Sequence, residues 1–276
     1  MNNDSTQQLF STLVANRSGG VGKTLLAQTL IALLSPSARG RWRPLSIDTF
    51  EVDQRSKLSQ LFSESLDMPI APNLGDVEES LASFNQVWDK VFLKIVGGDA
   101  LVDFGANVAP RFARWLELQR GETFGVVCPP VLLAVPVTGS AQSLSDGVAT
   151  IEAFWKTQRV LPIGRTIVFA NELFGAVEKL PSADYAWLLS QARRGKLSIL
   201  RMPKCDGPML AVLDSQDVGV VEALDLSDAE FATRFGMRDL RALRQAQVQL
   251  ADWLIVIGVE LRKAGLVGVE AEKALA

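Results

Sequence analysis

The stretch Asn16-Arg17-Ser18-Gly19-Gly20-Val21-Gly22-Lys23-Thr24 stands between a short apolar run, Leu9–Ala15, and a helical stretch, Leu25–Leu34, that stops at Ser35-Pro36. Strand, glycine-rich turn, Lys-Thr and helix follow one another in the order that a phosphate-holding loop requires. The glycines let successive backbone N–H groups face one anion. The helix behind them points its positive N-terminus at the same place. Lys23 would reach the terminal phosphates, and the Thr24 hydroxyl would meet Mg²⁺. Ser18, Gly19, Gly20, Val21, Gly22, Lys23, Thr24 and Leu25 therefore form the candidate nucleotide-binding set. The bland alternative is a glycine-rich turn followed by a chance Lys-Thr.

Outward from this loop, strand-like and helix-like segments alternate. Arg43–Asp53 contains a second strand. Asp76–Val96 carries Leu81, Phe84, Val87, Trp88, Val91 and Ile95 at spacings of three and four, which predicts one or two amphipathic helices. Ala100–Phe104 reads as a third strand and Ala109–Gln119 as a helix. Val131–Val137 is continuously apolar, the mark of a strand buried on both faces. A helix over Ser140–Lys156, a strand over Thr166–Ala170, a helix over Ser182–Ala192 and a strand over Leu197–Leu200 follow. From about Asp214 the chain reads as helical, with Leu240, Leu243, Leu250, Leu254, Ile257 and Leu261 on one stripe. The alternation predicts an α/β fold with a doubly wound, mostly parallel sheet flanked by helices. One domain over 1–276 is expected, with a core at about 9–205 and a helical part at about 214–276.

Composition narrows the chemistry. The chain has 276 residues, 28 Lys+Arg against 31 Asp+Glu, and no histidine. Ser-His-Asp or Cys-His catalysis, His-ligated metals and an imidazole base are thereby excluded. The two cysteines, Cys128 and Cys205, form no CxxC, so a zinc site is excluded too. A net charge of −3 argues against a wholly basic nucleic-acid binder, so any DNA contact must come from a local patch. The polar Met1–Gln8 and the short apolar runs predict a cytoplasmic protein with no membrane partner.

The loop is not the common GxxxxGKS/T pattern, because Arg17 stands where that pattern needs glycine. It resembles the deviant phosphate loop, KGGxGKS/T, of the ParA/MinD family of positioning ATPases. Asn16 and the Gly19–Thr24 block match, while the family's signature lysine falls on Ser18. The resemblance covers about residues 9–205 in pattern and implies a P-loop NTPase fold with ATP and Mg²⁺ as cofactors. It further implies an ATP-dependent homodimer, non-specific DNA as a partner, an adaptor or ParB-like partner protein, and a nucleoid-associated location. In the family the signature lysine reaches the nucleotide of the other subunit. Its absence leaves three alternatives: Arg17 or a lysine or arginine elsewhere substitutes for it, hydrolysis is slow, or the dimer is assembled differently.

A phosphate-transferring site also needs carboxylates. The family shows D-x-D-P-Q after its second strand, where this chain reads Asp48-Thr49-Phe50-Glu51-Val52-Asp53-Gln54. Asp48 and Asp53 compete for the water-positioning role beside Lys23, and Asp53 is favoured because Gln54 follows it. Leu101-Val102-Asp103-Phe104-Gly105 is an apolar strand ending in Asp, the form of a residue that holds Mg²⁺. Thr24, Asp53 and Asp103 are thus the candidate metal set. Asn171, ending the Ile167–Ala170 strand, would in this family bond the adenine edge; the plainer reading is a turn-forming Asn. Pro203 resembles the residue that lines the base pocket.

Two basic clusters stand out. Arg234, Arg238, Arg241 and Arg244, at spacings of 4, 3 and 3, would cover about a third of one helix surface and form a candidate DNA-binding stripe. The alternative is a solvated face paired with Glu230 and Asp239. Arg193, Arg194, Lys196, Arg201 and Lys204 form the second cluster. The expected function is an ATP-dependent switch that dimerises and binds DNA to position a plasmid, a conjugation complex or a microcompartment. The competing readings are a metabolic ATP-dependent ligase of the same fold, similar to dethiobiotin synthetase, and a nucleotide-binding scaffold that no longer hydrolyses.

Overall fold

The computed structural model of the chain describes residues 11–33, 43–48, 56–62, 65–69, 77–119, 128–207, 209–210, 213, 218–236 and 239–266. Its strands are β1 (Thr12–Val14), β2 (Arg43–Asp48), β3 (Leu66–Pro69), β4 (Ala100–Phe104), β5 (Val131–Thr138), β6 (Ile163–Asn171) and β7 (Ser198–Met202). Its helices are α1 (Lys23–Leu33), α2 (Lys57–Leu61), α3 (Val77–Val96), α4 (Ala109–Leu118), α5 (Ala141–Lys156), α6 (Ala183–Arg193), α7 (Val220–Asp225), α8 (Asp228–Phe235) and α9 (Leu240–Lys263). The strands lie in the order β3-β2-β4-β1-β5-β6-β7, and every pairing is parallel. This is the α/β architecture expected from the alternation.

Burial explains why the strands read as they do. All eight residues of β5 are buried, as a parallel strand with helices on both faces requires. Along β1 the side chains alternate between two cores. Leu13 packs with Trp88, Phe92, Phe112, Trp115 and Phe154 from α3, α4 and α5. Val14 packs with Leu26, Leu30, Phe231, Leu250, Leu254 and Ile257 from α1, α8 and α9. On the first face Phe112 stacks between Phe104, at 5.6 Å between centroids, and Trp115, at 5.8 Å. The apolar stripe of α9 is thus core: Leu250, Leu254, Ile257 and Leu261 are buried under β7 and α1.

Three sequence expectations are corrected. The strand at Ala100–Phe104 is fourth in chain order, because the short edge strand β3 precedes it. Its Leu-Asp-Met-Pro sequence is too short and too polar to show an alternation, and proline suits the rim of a sheet. The strand at Thr166–Ala170 is longer, Ile163–Asn171, and its early residues Gly164 and Arg165 are exposed. The arginines expected on one helix surface fall on two, because the described residues of the helical C-terminal part form α7, α8 and α9, as their caps explain below.

β1 sits in the middle of the sheet with β4 on one side and β5 on the other. Its C-terminal end is therefore the crevice where parallel sheets of this type place ligands.

Candidate functional site

The loop after β1 is tied down by its own side chains. Asn16, fully buried, donates from Nδ2 to the Pro136 and Ser143 carbonyls at 2.7 and 3.3 Å, and its Oδ1 accepts the Ser18 N–H at 2.8 Å. Gly20 and Gly22 have φ of 67° and 90°, a region that L side chains avoid. A Cβ on Gly22 would stand 2.7 Å from Asn171 Nδ2. Asn171 itself donates to the Val21 carbonyl at 3.1 Å and accepts the Leu173 N–H at 3.1 Å. The loop is thereby held between β5, the start of α5 and the end of β6.

Lys23 and Thr24 open α1, and both lead into the crevice. Lys23 Nζ donates to the Ser18 carbonyl at 2.6 Å. The Thr24 hydroxyl donates to Asp103 Oδ2 at 2.6 Å. Asp103 lies near the end of β4, where register places it beside Val14 of β1 and Ser46 of β2. Burial pushes its carboxyl up to about 6; the Thr24 hydrogen bond and the Lys23 charge pull it down, and Asp48 pushes it up. Burial likewise lowers Lys23 from the ordinary lysine range, against the charges of Asp103 and Asp48, which raise it.

Asp48 ends β2 against the backbone of Gly105, whose N–H donates to the Ile47 carbonyl at 2.7 Å. A Cβ on Gly105 would overlap the Asp48 carboxylate. Gly105→Ala is expected to displace that carboxylate and to lower stability by about 1–2 kcal/mol, as overpacking does. A denaturant midpoint equal to wild type would contradict this packing.

Gly19, Gly20, Gly22, Lys23, Thr24, Asp48 and Asp103 line one cleft of about 640 Å³, a size that takes a nucleotide. Leu58, Leu210, Leu213, Val218 and Val220 make its apolar wall. Sequence reasoning missed this wall, because its residues come from short segments without periodicity. A second concavity on the other side of the loop is lined by Arg17, Ser18, Val21, Asn107 and Asp146. There the Ser18 hydroxyl donates to Asp146 Oδ2 at 2.5 Å, and Gln142 Nε2 donates to the same oxygen at 2.9 Å. Arg17 Nε reaches Asn107 Oδ1 at 3.3 Å.

The other candidates fall as follows. Leu25 lines the same cleft. Asp53 lies outside the described residues, as does Arg238. Asn171 does not line the nucleotide-sized cleft: its amide is engaged in bracing the loop. Pro203 lines a separate cleft of about 390 Å³ with Arg201, Lys204 and Trp253, and its carbonyl accepts the Trp253 indole N–H at 2.7 Å.

The arginine stripe is not one helix face. Arg234 lies in the last turn of α8, which Gly236 terminates in a left-handed conformation, and Arg241 and Arg244 belong to α9. Arg234 pairs with Glu222 at 2.6 Å and Arg244 with Asp228 at 3.1 Å. Glu230 and Asp239 serve as capping residues, Glu230 in a capping box with Ser227 and Asp239 at the start of α9. The second basic cluster is also divided. Arg193, Arg194 and Lys196 precede β7, whereas Arg201 and Lys204 stand at its far end, with Arg201 bound to Glu172 at 2.8 Å.

No family model and no curated protein matches the chain. Among solved structures the chain is similar to a substituted McdA of Cyanothece in complex with ATP, at 13% identity over 91% of this chain and 98% of that one, with a TM-score of 0.42. It is similar to the apo form of Cyanothece McdA at 15% identity over 87% and 98%, with a TM-score of 0.43. A ParA family ATPase from Chlorobium tepidum TLS matches at 14% identity over 90% and 98%, with a TM-score of 0.44.

Proposed function

We propose that the chain is a nucleotide-driven switch of the ParA/MinD kind: it binds ATP in the cleft at Lys23 and Thr24, pairs with a second copy, and hydrolyses the nucleotide slowly. The observation that carries this reading is the convergence of Lys23, the Thr24–Asp103 pair and Asp48 at the mouth of a glycine loop braced by Asn16 and Asn171. Backbone N–H groups and Lys23 suit the phosphates. Thr24 and Asp103 offer hard oxygen donors of the type Mg²⁺ takes, and a buried carboxylate with a raised pKa is one that a cation would favour in its charged form. Among the described residues no group of three or more His, Cys, Asp or Glu gathers as a metal site. Bound at Thr24 and Asp103, the ion would neutralise phosphate charge.

Of the two candidate acids Asp48 is the one among the described residues, and it lines the cleft beside Asp103; it is taken here for the water-positioning role, with Asp53 as the alternative. Adaptor and DNA contacts belong to the same reading. Among the described residues no helix is long and apolar enough to cross a membrane.

Size-exclusion chromatography with ATP, ADP and no nucleotide, run beside ATP turnover, tests the proposal. The expected results are a dimer with ATP alone and slow turnover. Asp48→Asn is expected to keep ATP binding and lose turnover; unchanged turnover would pass the role to Asp53. One oligomeric state in all three conditions would overturn the switch. ATP-dependent conversion of a small carboxylic acid would favour a ligase, and binding with dimerisation but no turnover a scaffold.

A further inference from the structure

The end of the sheet opposite the phosphate loop gathers cations from four segments. Lys156 closes α5, Arg159 lies in the turn after it, Arg165 is on the exposed start of β6, and Arg193, Arg194 and Lys196 lie at the end of α6 and in the turn before β7. Arg165 and Lys196 share the rim of one cavity of about 440 Å³ with Trp155, Gln158 and Thr166. Trp155 and Trp187 pack at 5.8 Å between ring centroids, which brings α5 and α6 together. None of these six cations forms an ion pair with a described residue, in contrast to Arg234, Arg244 and Arg201. The neighbouring acid on α5 is Glu152, one turn ahead of Lys156.

We infer that this face binds the phosphate backbone of duplex DNA. The inference rests on the DNA contact in the proposed function and moves it from the α8–α9 arginines to Arg165, Arg194 and Lys196. Cations without an acidic partner among the described residues, where Arg165 donates to the Gly265 carbonyl at 3.4 Å, suit the release of counterions that drives such binding, whereas paired ones are already neutralised locally. A duplex fits better than a single strand, because the aromatic ring here is not free to stack a base: the Trp155 indole N–H donates to Thr166 at 3.0 Å and Lys196 Nζ stands 5.8 Å over the ring. An anionic membrane fits worse, because the segments that carry these six cations expose no large apolar side chain: the exposed ones are on neighbouring helix ends, Leu93 and Leu118, or elsewhere, as at Phe174, Val248 and Ile255.

The test is fluorescence anisotropy of a mixed-sequence duplex with the full chain, ATP and Mg²⁺, over a range of NaCl concentrations. The triple variant Arg165→Ala, Arg194→Ala, Lys196→Ala is expected to bind at least about tenfold more weakly, with a salt slope flatter by about 0.9 for each phosphate that is no longer neutralised. The pair Arg241→Ala, Arg244→Ala is expected to bind as wild type. ATP affinity and melting temperature, measured on the same variants, are expected to stay unchanged. A triple variant that matches wild type, or weakening confined to the Arg241, Arg244 pair, would overturn the placement. Wild type that binds anionic vesicles but no duplex would overturn the partner. Either failure with intact ATP-dependent dimerisation would leave the nucleotide reading standing, and absent ATP binding would remove that reading instead.

Discussion

Replacing Lys23 with alanine is expected to weaken ATP binding about 100-fold, or ~3 kcal/mol, the upper end for a hydrogen bond to a charged group. The ammonium group is held beside the loop by the Ser18 carbonyl and is partly stripped of water, which lowers its pKa. A phosphate arriving in the cleft meets a cation already in place. Equilibrium titration with a fluorescent ATP analogue would measure the change. The same substitution removes a desolvated charge, so the melting temperature without nucleotide is expected to hold or to rise slightly. Affinity within about twofold of wild type would mean that the phosphates sit somewhere other than the loop.

The second large effect concerns Asp103. Burial raises its carboxyl to about 6, above the ordinary 3.8, so the folded chain holds this proton more tightly than the unfolded one. The associated stability is fully present below pH 3.8 and is lost as pH rises through about 6. The difference is worth about 3 kcal/mol at most, at roughly 1.36 kcal/mol per pH unit. Asp103→Asn keeps an acceptor for the Thr24 hydroxyl but removes the buried charge. The nucleotide-free variant is therefore expected to be more stable than wild type by about 1–3 kcal/mol at about pH 8, with the gain fading by about pH 4. Urea melts at both pH values would show it. A variant less stable at the higher pH, or a gain that does not change with pH, would refute the assignment. Mg²⁺-dependent nucleotide binding should move the other way, because asparagine brings no charge to the cation.

Both predictions concern residues that local sequence makes visible. A phosphate loop is a contiguous object: its glycines, its lysine and its helix are neighbours in the chain, so their order alone betrays them. Asp103 is legible because an apolar strand ending in a carboxylate has few other uses beside such a loop. Asp146 is not legible, because its partner Ser18 lies 128 residues away and nothing in Ser145-Asp146-Gly147 announces it. Asn171 illustrates a half-reading: its place at the strand end follows from the pattern, yet its amide braces Val21 and Leu173. The arginine row shows the opposite error. Ser227 and Glu230 spell a capping box, Gly236 a helix end and Asp239 a fresh start, so the break is written in the sequence, but the spacing of the arginines masks it.

β6 has a consequence for how the two ends of the sheet communicate. It runs from Arg165 at the cationic end to Asn171 behind the loop, about 20 Å of extended chain. At that separation no atom of a nucleotide touches the cationic face, and a strand paired along its length with β5 and β7 has little freedom to relay a shift. What a nucleotide can alter is valency. One copy presents one cationic face; two copies joined through their nucleotide-bearing ends would present two that point away from each other, so that a pair holds two stretches of duplex rather than gripping one twice. Pairing would then tether separate stretches of duplex, and separation would release the tether, without any residue of the face changing its conformation.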